Sequence, residues 1–411
     1  MSDISDRSDR SDTLKKEVLM RYIFTLLALL ALGWPAAAAL PAASFLVPKE
    51  TTRDTGYTAI EVGLDGMVYV GTAWYGGSAH LIRLNPATGK WEDLIDAHKL
   101  TRDTGVGLDS QSKFHAKILV GADGIVWAAT KQGNEEFTNR PEYGESAGGF
   151  PGGHLFSYDP KTGQAADHGI LKKQEGIMGG AIDNARRRIY YVSDPKGHFL
   201  IYDIAGNSVR DLGRSGPTPR YMGIDAKGRV FVVGAPLPGD NAPGAITMYD
   251  PQTDRLYQLA VNVEGDLKAY GSPYVIVMNA DGATLLGAAA NCKYVLEYDL
   301  SSVRLNNANS FANGAITCRL AAEIKPGDTH AGTLGKDGCF YFNSGAILYR
   351  YDPAARAADE VGIIAPPNNR DGATVYSQGA AAGPDGTLYM KFIYPYQVLA
   401  FDKLTAPKGE N

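Results

Sequence analysis

The sequence is poor in the residues that usually announce a function. It holds three cysteines, seven histidines and four tryptophans in 411 residues, and 40 Lys and Arg against 45 Asp and Glu leave a net charge of −5. Without a basic excess there is no continuous field for a polyanion, so nucleic acid is not an expected partner. Cys292, Cys318 and Cys339 cannot all pair within one chain, and they are expected as buried free thiols rather than as a disulfide framework. Long apolar runs are equally scarce. The one that stands out, Tyr22 to Leu32, is too short to cross a bilayer. Lys15, Lys16 and Arg21 precede it and Ala36 to Ala39 follow it, which is the order of a secretory signal. Residues 1–39 are therefore expected to be a low-complexity leader and signal peptide, leaving a periplasmic or secreted chain with no membrane span after cleavage.

What the sequence does contain is a repeat. Seven times an apolar strand runs into an aromatic-Asp-Pro turn or a close variant: Leu84-Asn85-Pro86, Tyr158-Asp159-Pro160, Tyr202-Asp203-Ile204, Tyr249-Asp250-Pro251, Tyr298-Asp299-Leu300, Tyr351-Asp352-Pro353 and Phe401-Asp402-Lys403. Upstream of nearly every copy a strand meets a second turn, as at Asp65-Gly66, Asp123-Gly124, Lys227-Gly228, Asp281-Gly282, Asp337-Gly338 and Asp385-Gly386. A period of roughly fifty residues with four short alternating strands is that of a β-propeller blade. The expectation is an all-β chain, a seven-bladed β-propeller of four-stranded antiparallel blades filling residues 40–411 as a single domain. After Gln397 to Phe401 too little chain remains for a last outer strand, and Ser44 to Pro48 is its natural replacement, joining the two ends of the chain.

In such a ring the chemistry gathers where the innermost strands begin, here near Tyr57, His115, Ile177, Arg220, Tyr274, His330 and Gln378. A ring that only filled its channel would place small or apolar residues there. His115 and Arg220 instead pair a base with a carboxylate-gripping cation, which suits β-elimination on a uronic acid. The cation neutralises the carboxylate, the base takes the C5 proton, and an acid protonates the leaving oxygen. Tyr191, Tyr57 and His198 are the candidate acids. Residues 131–153 interrupt the second repeat with a long loop on the same face, and long loops in compact domains are more often functional than idle. His154 and His198 each begin a third strand, where an imidazole is expected to bridge to a neighbouring blade or touch substrate.

The segments His115-Ala116-Lys117-Ile118, Gly152-Gly153-His154-Leu155-Phe156 and Pro195-Lys196-Gly197-His198-Phe199 resemble the corresponding blades of propeller polysaccharide lyases, the ulvan lyases and rhamnose-glucuronate lyases, with a related rhamnosidase family. The resemblance is clearest over residues 110–235. It implies a catalytic pocket around His115, a uronate-neutralising role for Arg220 and an acidic polysaccharide or oligosaccharide as partner. With Tyr191 as the acid these are the expected catalytic residues, and from their positions Tyr57, Lys131, His154, His198, Tyr274 and His330 are the expected substrate contacts. The pattern departs from those families at Lys131 and at Asp194, where a second His and a differently placed Tyr are usual.

No cofactor is expected. Cys292 and His330 share one rim but would need a third ligand to hold a structural metal. A calcium-dependent lactonase is disfavoured because no innermost strand begins with an acid. The alternatives are a non-catalytic propeller that binds carbohydrate or protein and an enzyme like the streptogramin lyases. A monomer is expected in either case.

Overall fold

Period-two alternation, broken by Gly and Asp-Gly corners, yields strand after strand and almost no helix. The computed structural model describes residues 39–53, 56–103, 105–133, 149–216, 219–233, 245–266, 270–306, 313–367, 376–393, 395–402 and 404. The expected leader, apart from Ala39, and most of the inserted loop (134–148) lie outside the described residues. Leu40–Asn411 forms one compact unit.

After β1 (Ala43–Leu46), the first sheet runs β2 (Ile60–Val62), β3 (Val68–Gly71), β4 (His80–Asn85) and β5 (Lys90–Asp96), followed by the short helix α1 (Ala97–Thr101). In the second sheet the innermost strand is broken into β6 (Lys113–Phe114) and β7 (Leu119–Val120), which both pair with β8 (Val126–Lys131). β9 (Gly152–Asp159) and β10 (Gln164–Lys173) complete it. The third sheet is β11 (Gly176–Asp183), β12 (Arg188–Asp194), β13 (His198–Asp203) and β14 (Ser208–Arg214). Next come β15 (Met222–Ile224), β16 (Val230–Val232), β17 (Ala245–Asp250) and β18 (Arg255–Glu264), then β19 (Val275–Met278), β20 (Thr284–Ala288), β21 (Tyr294–Leu305) and β22 (Gly314–Glu323). A further four-stranded sheet is β23 (Gly332–Leu334), β24 (Phe340–Ser344), β25 (Ile347–Asp352) and β26 (Ala357–Ile363). The last holds β27 (Ser377–Ala382), β28 (Leu388–Ile393) and β29 (Tyr396–Phe401).

Within each four-stranded unit successive strands are antiparallel neighbours, the split β6 and β7 acting as one, and the first strands contact one another in sequence: β2 with β7, β7 with β11, β11 with β15, β15 with β19, β19 with β23, β23 with β27 and β27 back to β2. The corner glycines adopt the left-handed backbone that their turns require, as at Gly66 (φ 74°) and Gly386 (φ 93°). In the same corners the Asp carboxylate accepts the N–H two residues on, Asp65 from Met67 and Asp385 from Thr387. The Tyr-Asp-Pro turns do likewise at Asp159, Asp250 and Asp352. Their tyrosines are buried between sheets: Tyr158 packs on Tyr69 of the first sheet, and the Tyr351 hydroxyl donates to Glu297 of the preceding one.

One pairing departs from the repeat. β18 and β22, the outer strands of consecutive units, pair in parallel from Leu259↔Gly314 to Glu264↔Arg319, fusing eight strands into a single sheet. β18 runs on beyond its last register position with β17, Ala260 opposite Ala245, while β22 stays paired with β21 along its whole length, and Arg319 reaches Glu264 across the seam at 3.1 Å. The three cysteines are free and buried.

Closure takes two forms. β1 adds antiparallel to β29, Ala43 opposite Ala400 through Leu46 opposite Gln397, so the early segment supplies the missing outer strand. Lys391 on β28 is fully buried and donates to the Ala59 carbonyl at 3.0 Å and the Gly71 carbonyl at 3.5 Å in the first sheet, while the Tyr396 hydroxyl also donates to Gly71. Burial holds the Lys391 amine well below its ordinary pKa. Deleting residues 40–46 is expected to lower the melting temperature by several degrees and to promote self-association through the bared edge of β29. Thermal denaturation with light scattering reads both effects, and an unchanged transition would mean that closure does not rest on β1.

Candidate functional site

Around the axis the starts of the first strands bring an arc of side chains together. Tyr57 stacks on His115, with ring centroids 4.4 Å apart and planes inclined by 22°. Arg220 Nη1 donates toward His115 Nε2 at 3.4 Å, and the same guanidinium lies 4.5 Å from the centre of the Tyr274 ring. Tyr274 meets His330 edge-on at 4.4 Å, and His330 meets Tyr376 at 4.7 Å. One continuous chain of contacts therefore links groups from the first, second, fourth, fifth, sixth and seventh repeats. Lys113 adds a second cation, 4.6 Å from the Tyr57 ring and 5.2 Å from Tyr75. It sits directly opposite Lys131 in the β6–β8 ladder, and Lys131 is held by Asp194 at 2.7 Å. Like charges facing each other across a ladder are unfavourable, and that cost is offset here by the tyrosine faces and by Asp194.

The electrostatics fix protonation. His115 is only 2% exposed. Burial, then the Arg220, Lys113 and Lys131 charges, push its pKa well below the usual imidazole range, against the Met178 carbonyl that favours protonation. His330 is drawn down to about 4 by burial and by Arg220, with Asp328 opposing. Both imidazoles are therefore neutral at neutral pH, one on each side of a guanidinium. Burial likewise lowers Lys113, assisted by Lys131 and Arg220 and opposed by Asp194, and it raises the Tyr274 hydroxyl. Among the described residues no carboxylate pairs with Arg220.

Of the residues singled out in the sequence, His115, Arg220, Tyr57, Tyr274 and His330 meet at the axis, with Lys131 beside them. Tyr191 does not. It is fully buried in the apolar cluster between the second and third sheets with Trp127, Leu155 and Tyr202, its ring lies against Gly180, and burial raises its pKa, so it is no proton donor to the axial groups. His154 and His198 do not join the arc, which corrects the expected substrate contact. Each Nδ1 pairs with an Asp on the outermost strand of its own sheet, Asp167 at 2.9 Å and Asp211 at 3.0 Å; the His154 ring makes no bridge to a neighbouring sheet, while His198 Nε2 lies 3.8 Å from Glu175 on the link that leads in from the second sheet. His80 and Asp93 repeat the pairing at 2.9 Å in the first sheet. In all three sheets the peptide N–H of the histidine donates to a second-strand hydroxyl, Thr72, Thr130 or Ser193, at 2.9–3.0 Å. The hydroxyl touches the main chain and not the imidazole, so these Ser/Thr–His–Asp chains are framework rather than catalytic triads.

Lys113 and Tyr376 escaped the sequence reading. Lys113 stands two positions before His115, and period two gives it the same face; Tyr376 immediately precedes β27. Cys292 donates its thiol to the Tyr294 carbonyl at 3.5 Å, and among the described residues no group of three His, Cys, Asp or Glu side chains is placed to hold a metal ion.

No protein-family model matches the chain, and no curated protein matches it. Solved structures do. A streptogramin B lyase is similar with a TM-score of 0.59 at 13% identity, over 89% of this chain and 99% of that one. The RRP9 WD40 repeats are similar with a TM-score of 0.59 at 12% identity, over 90% of this chain and 99% of that one. The fold is a β-propeller. A third similar structure is the extracellular domain of a hybrid two-component system from B. thetaiotaomicron, with a TM-score of 0.53 at 12% identity, over 89% of this chain and 42% of that one. Identities this low speak for the propeller fold alone.

The His–Asp pairs carry a pH signature. Burial acts to raise the Asp167 carboxyl, but hydrogen bonds from His154 and the Gly169 N–H outweigh it and leave its pKa below 3.8. Asp211 is lowered in the same way by Lys172, Gly213 and His198 against burial. A depressed carboxyl stabilises the fold fully above its unfolded pKa, and the contribution is lost as pH falls through the folded value. Melting temperature should therefore drop steeply below pH 3.8, and less steeply in a D167N/D211N variant. Identical pH profiles in differential scanning fluorimetry would remove these pairs from the stability account.

Proposed function

We propose that the axial cluster of a seven-bladed ring, with the eight-stranded sheet counted as two blades, binds an acidic saccharide. One observation carries this reading: Arg220 lies between the His115 imidazole and the Tyr274 ring without a carboxylate partner among the described residues. A half-buried guanidinium between an aromatic face and a neutral imidazole suits a bidentate ligand carboxylate, while Tyr57, Tyr274 and Tyr376 offer flat faces to the apolar side of a sugar ring. An acidic oligosaccharide or polysaccharide end outside the cytoplasm fits both this chemistry and the secretory leader expected from residues 1–39.

Binding is the primary reading because the cluster holds a base but no ready acid. Both imidazoles are neutral, the Tyr274 hydroxyl is a weaker acid than a free phenol, and Tyr191 is in the core. The second reading, a polysaccharide lyase acting by β-elimination, is favoured by one geometric fact. The base, His115, and the carboxylate-gripping cation, Arg220, are in contact, as proton abstraction beside a neutralised uronate requires. In this reading Arg220 holds the carboxylate, His115 Nε2 takes the C5 proton, and Tyr57, stacked on that imidazole, is the group nearest to hand for the leaving oxygen.

Two outcomes follow. Isothermal titration with glucuronate oligosaccharides should give saturable binding that weakens about 10- to 100-fold in Arg220→Ala, the range for losing a charged hydrogen-bonded contact. A ligand carboxylate on Arg220 offsets one of the charges that depress His115 and His330, and equal binding by Arg220→Ala would contradict the site. For the lyase reading, glucuronate polysaccharides should gain the ultraviolet absorbance of a 4,5-unsaturated uronate, slowed about 10²- to 10⁴-fold in His115→Ala. Binding with no new absorbance leaves a non-catalytic saccharide-binding propeller.

A further inference from the structure

Away from the axis, between the outer halves of the second and third sheets, a hydroxyl, an imidazole and an amide form a line of hydrogen bonds. Ser157 Oγ on β9 lies 2.8 Å from His168 Nε2 on β10. On its other side, His168 Nδ1 faces the Tyr202 hydroxyl at 3.0 Å and Asn207 Oδ1 at 3.3 Å. The Tyr202 hydroxyl gives its proton to Asn207 Oδ1 at 2.7 Å. Two oxygen lone pairs therefore meet Nδ1, which carries the imidazole proton. Nε2 is left as the acceptor, and the Ser157 hydroxyl donates to it. Trp127 packs against the ring at 4.9 Å and limits its rotation. Burial lowers the His168 pKa below 6.5 against the opposing pull of Asn207 and Asp167, so the base is unprotonated at neutral pH. Ser157 and His168 are both partly exposed.

This set differs from the framework chains of the first three sheets, where the hydroxyl contacts the main chain of the histidine. Here it contacts the ring nitrogen, and the other ring nitrogen is oriented by a third group, which is the arrangement that activates a nucleophile. We propose that Ser157 is an activated nucleophile, with His168 as its base and Asn207 as the positioning residue, and that it takes acyl groups from small activated esters. Ser157 Oγ bonds to the ester carbonyl carbon while Nε2 takes the hydroxyl proton. Collapse of the adduct breaks the bond to the leaving oxygen, which receives that proton and departs as the alcohol. Water, deprotonated by the same Nε2, then releases the carboxylic acid and restores the serine.

The test uses the full chain and a fluorophosphonate probe, which a nucleophilic serine attacks at phosphorus with loss of fluoride. Intact mass should show a single adduct, and peptide mapping of the unaltered protein should place it on Ser157. Labelling should vanish in Ser157→Ala and slow about 10²- to 10⁴-fold in His168→Gln. Its rate should rise with pH through a midpoint below 6.5 and then level, and Asn207→Gly, which keeps the left-handed turn at that position (φ 45°), should shift that midpoint. No adduct on the folded protein, an adduct elsewhere, or a rate climbing with pH without a plateau would overturn the proposal.

Discussion

Everything at the axis depends on the ring being closed. The short strand β1 lies on β29, and the first strands touch in sequence until β27 meets β2. That circle converts side chains hundreds of residues apart into neighbours, as Lys391 illustrates by donating to carbonyls of the first sheet from the last. The polar groups at the strand starts can then face one another across a confined space in which water is scarce.

Confinement sets the chemistry. His115, Arg220 and Lys113 share one small region, and desolvation and mutual repulsion both work against carrying three full charges there. The histidines yield first, staying neutral beside a guanidinium that cannot lose its proton. The cation that remains lacks a carboxylate among the described residues, which is the ground for the acidic ligand proposed above. The same charge balance explains why a base is easy to find here and an acid is not.

Much of this was legible in the sequence. Recurrent Tyr-Asp-Pro and Asp-Gly turns specify strand spacing through local hydrogen bonds and left-handed glycines, so the four-stranded units and the outer role of the early strand could be read directly. His115, Arg220, Tyr57, Tyr274 and His330 stood out because polar residues at innermost strand starts need a reason. What could not be read depends on partners distant in sequence. Tyr191 alternates correctly for its strand, but which face meets the core is decided by the neighbouring sheet. The parallel seam between β18 and β22 joins the outer strands of two different units, whereas the Asp partners of His154 and His198 lie thirteen residues on within one hairpin, a spacing that His80 and Asp93 repeat and that the sequence does carry.

The account stands or falls on whether the axial cluster holds an acid, and a crystal structure of the chain soaked with a glucuronate oligosaccharide tests this most directly. The account predicts the uronate carboxylate on the Arg220 guanidinium, its sugar ring against Tyr57 or Tyr274, and C5 turned toward His115 Nε2. A saccharide bound elsewhere with the axial side chains undisturbed, or Arg220 turned away to pair with a carboxylate of the protein, would contradict it.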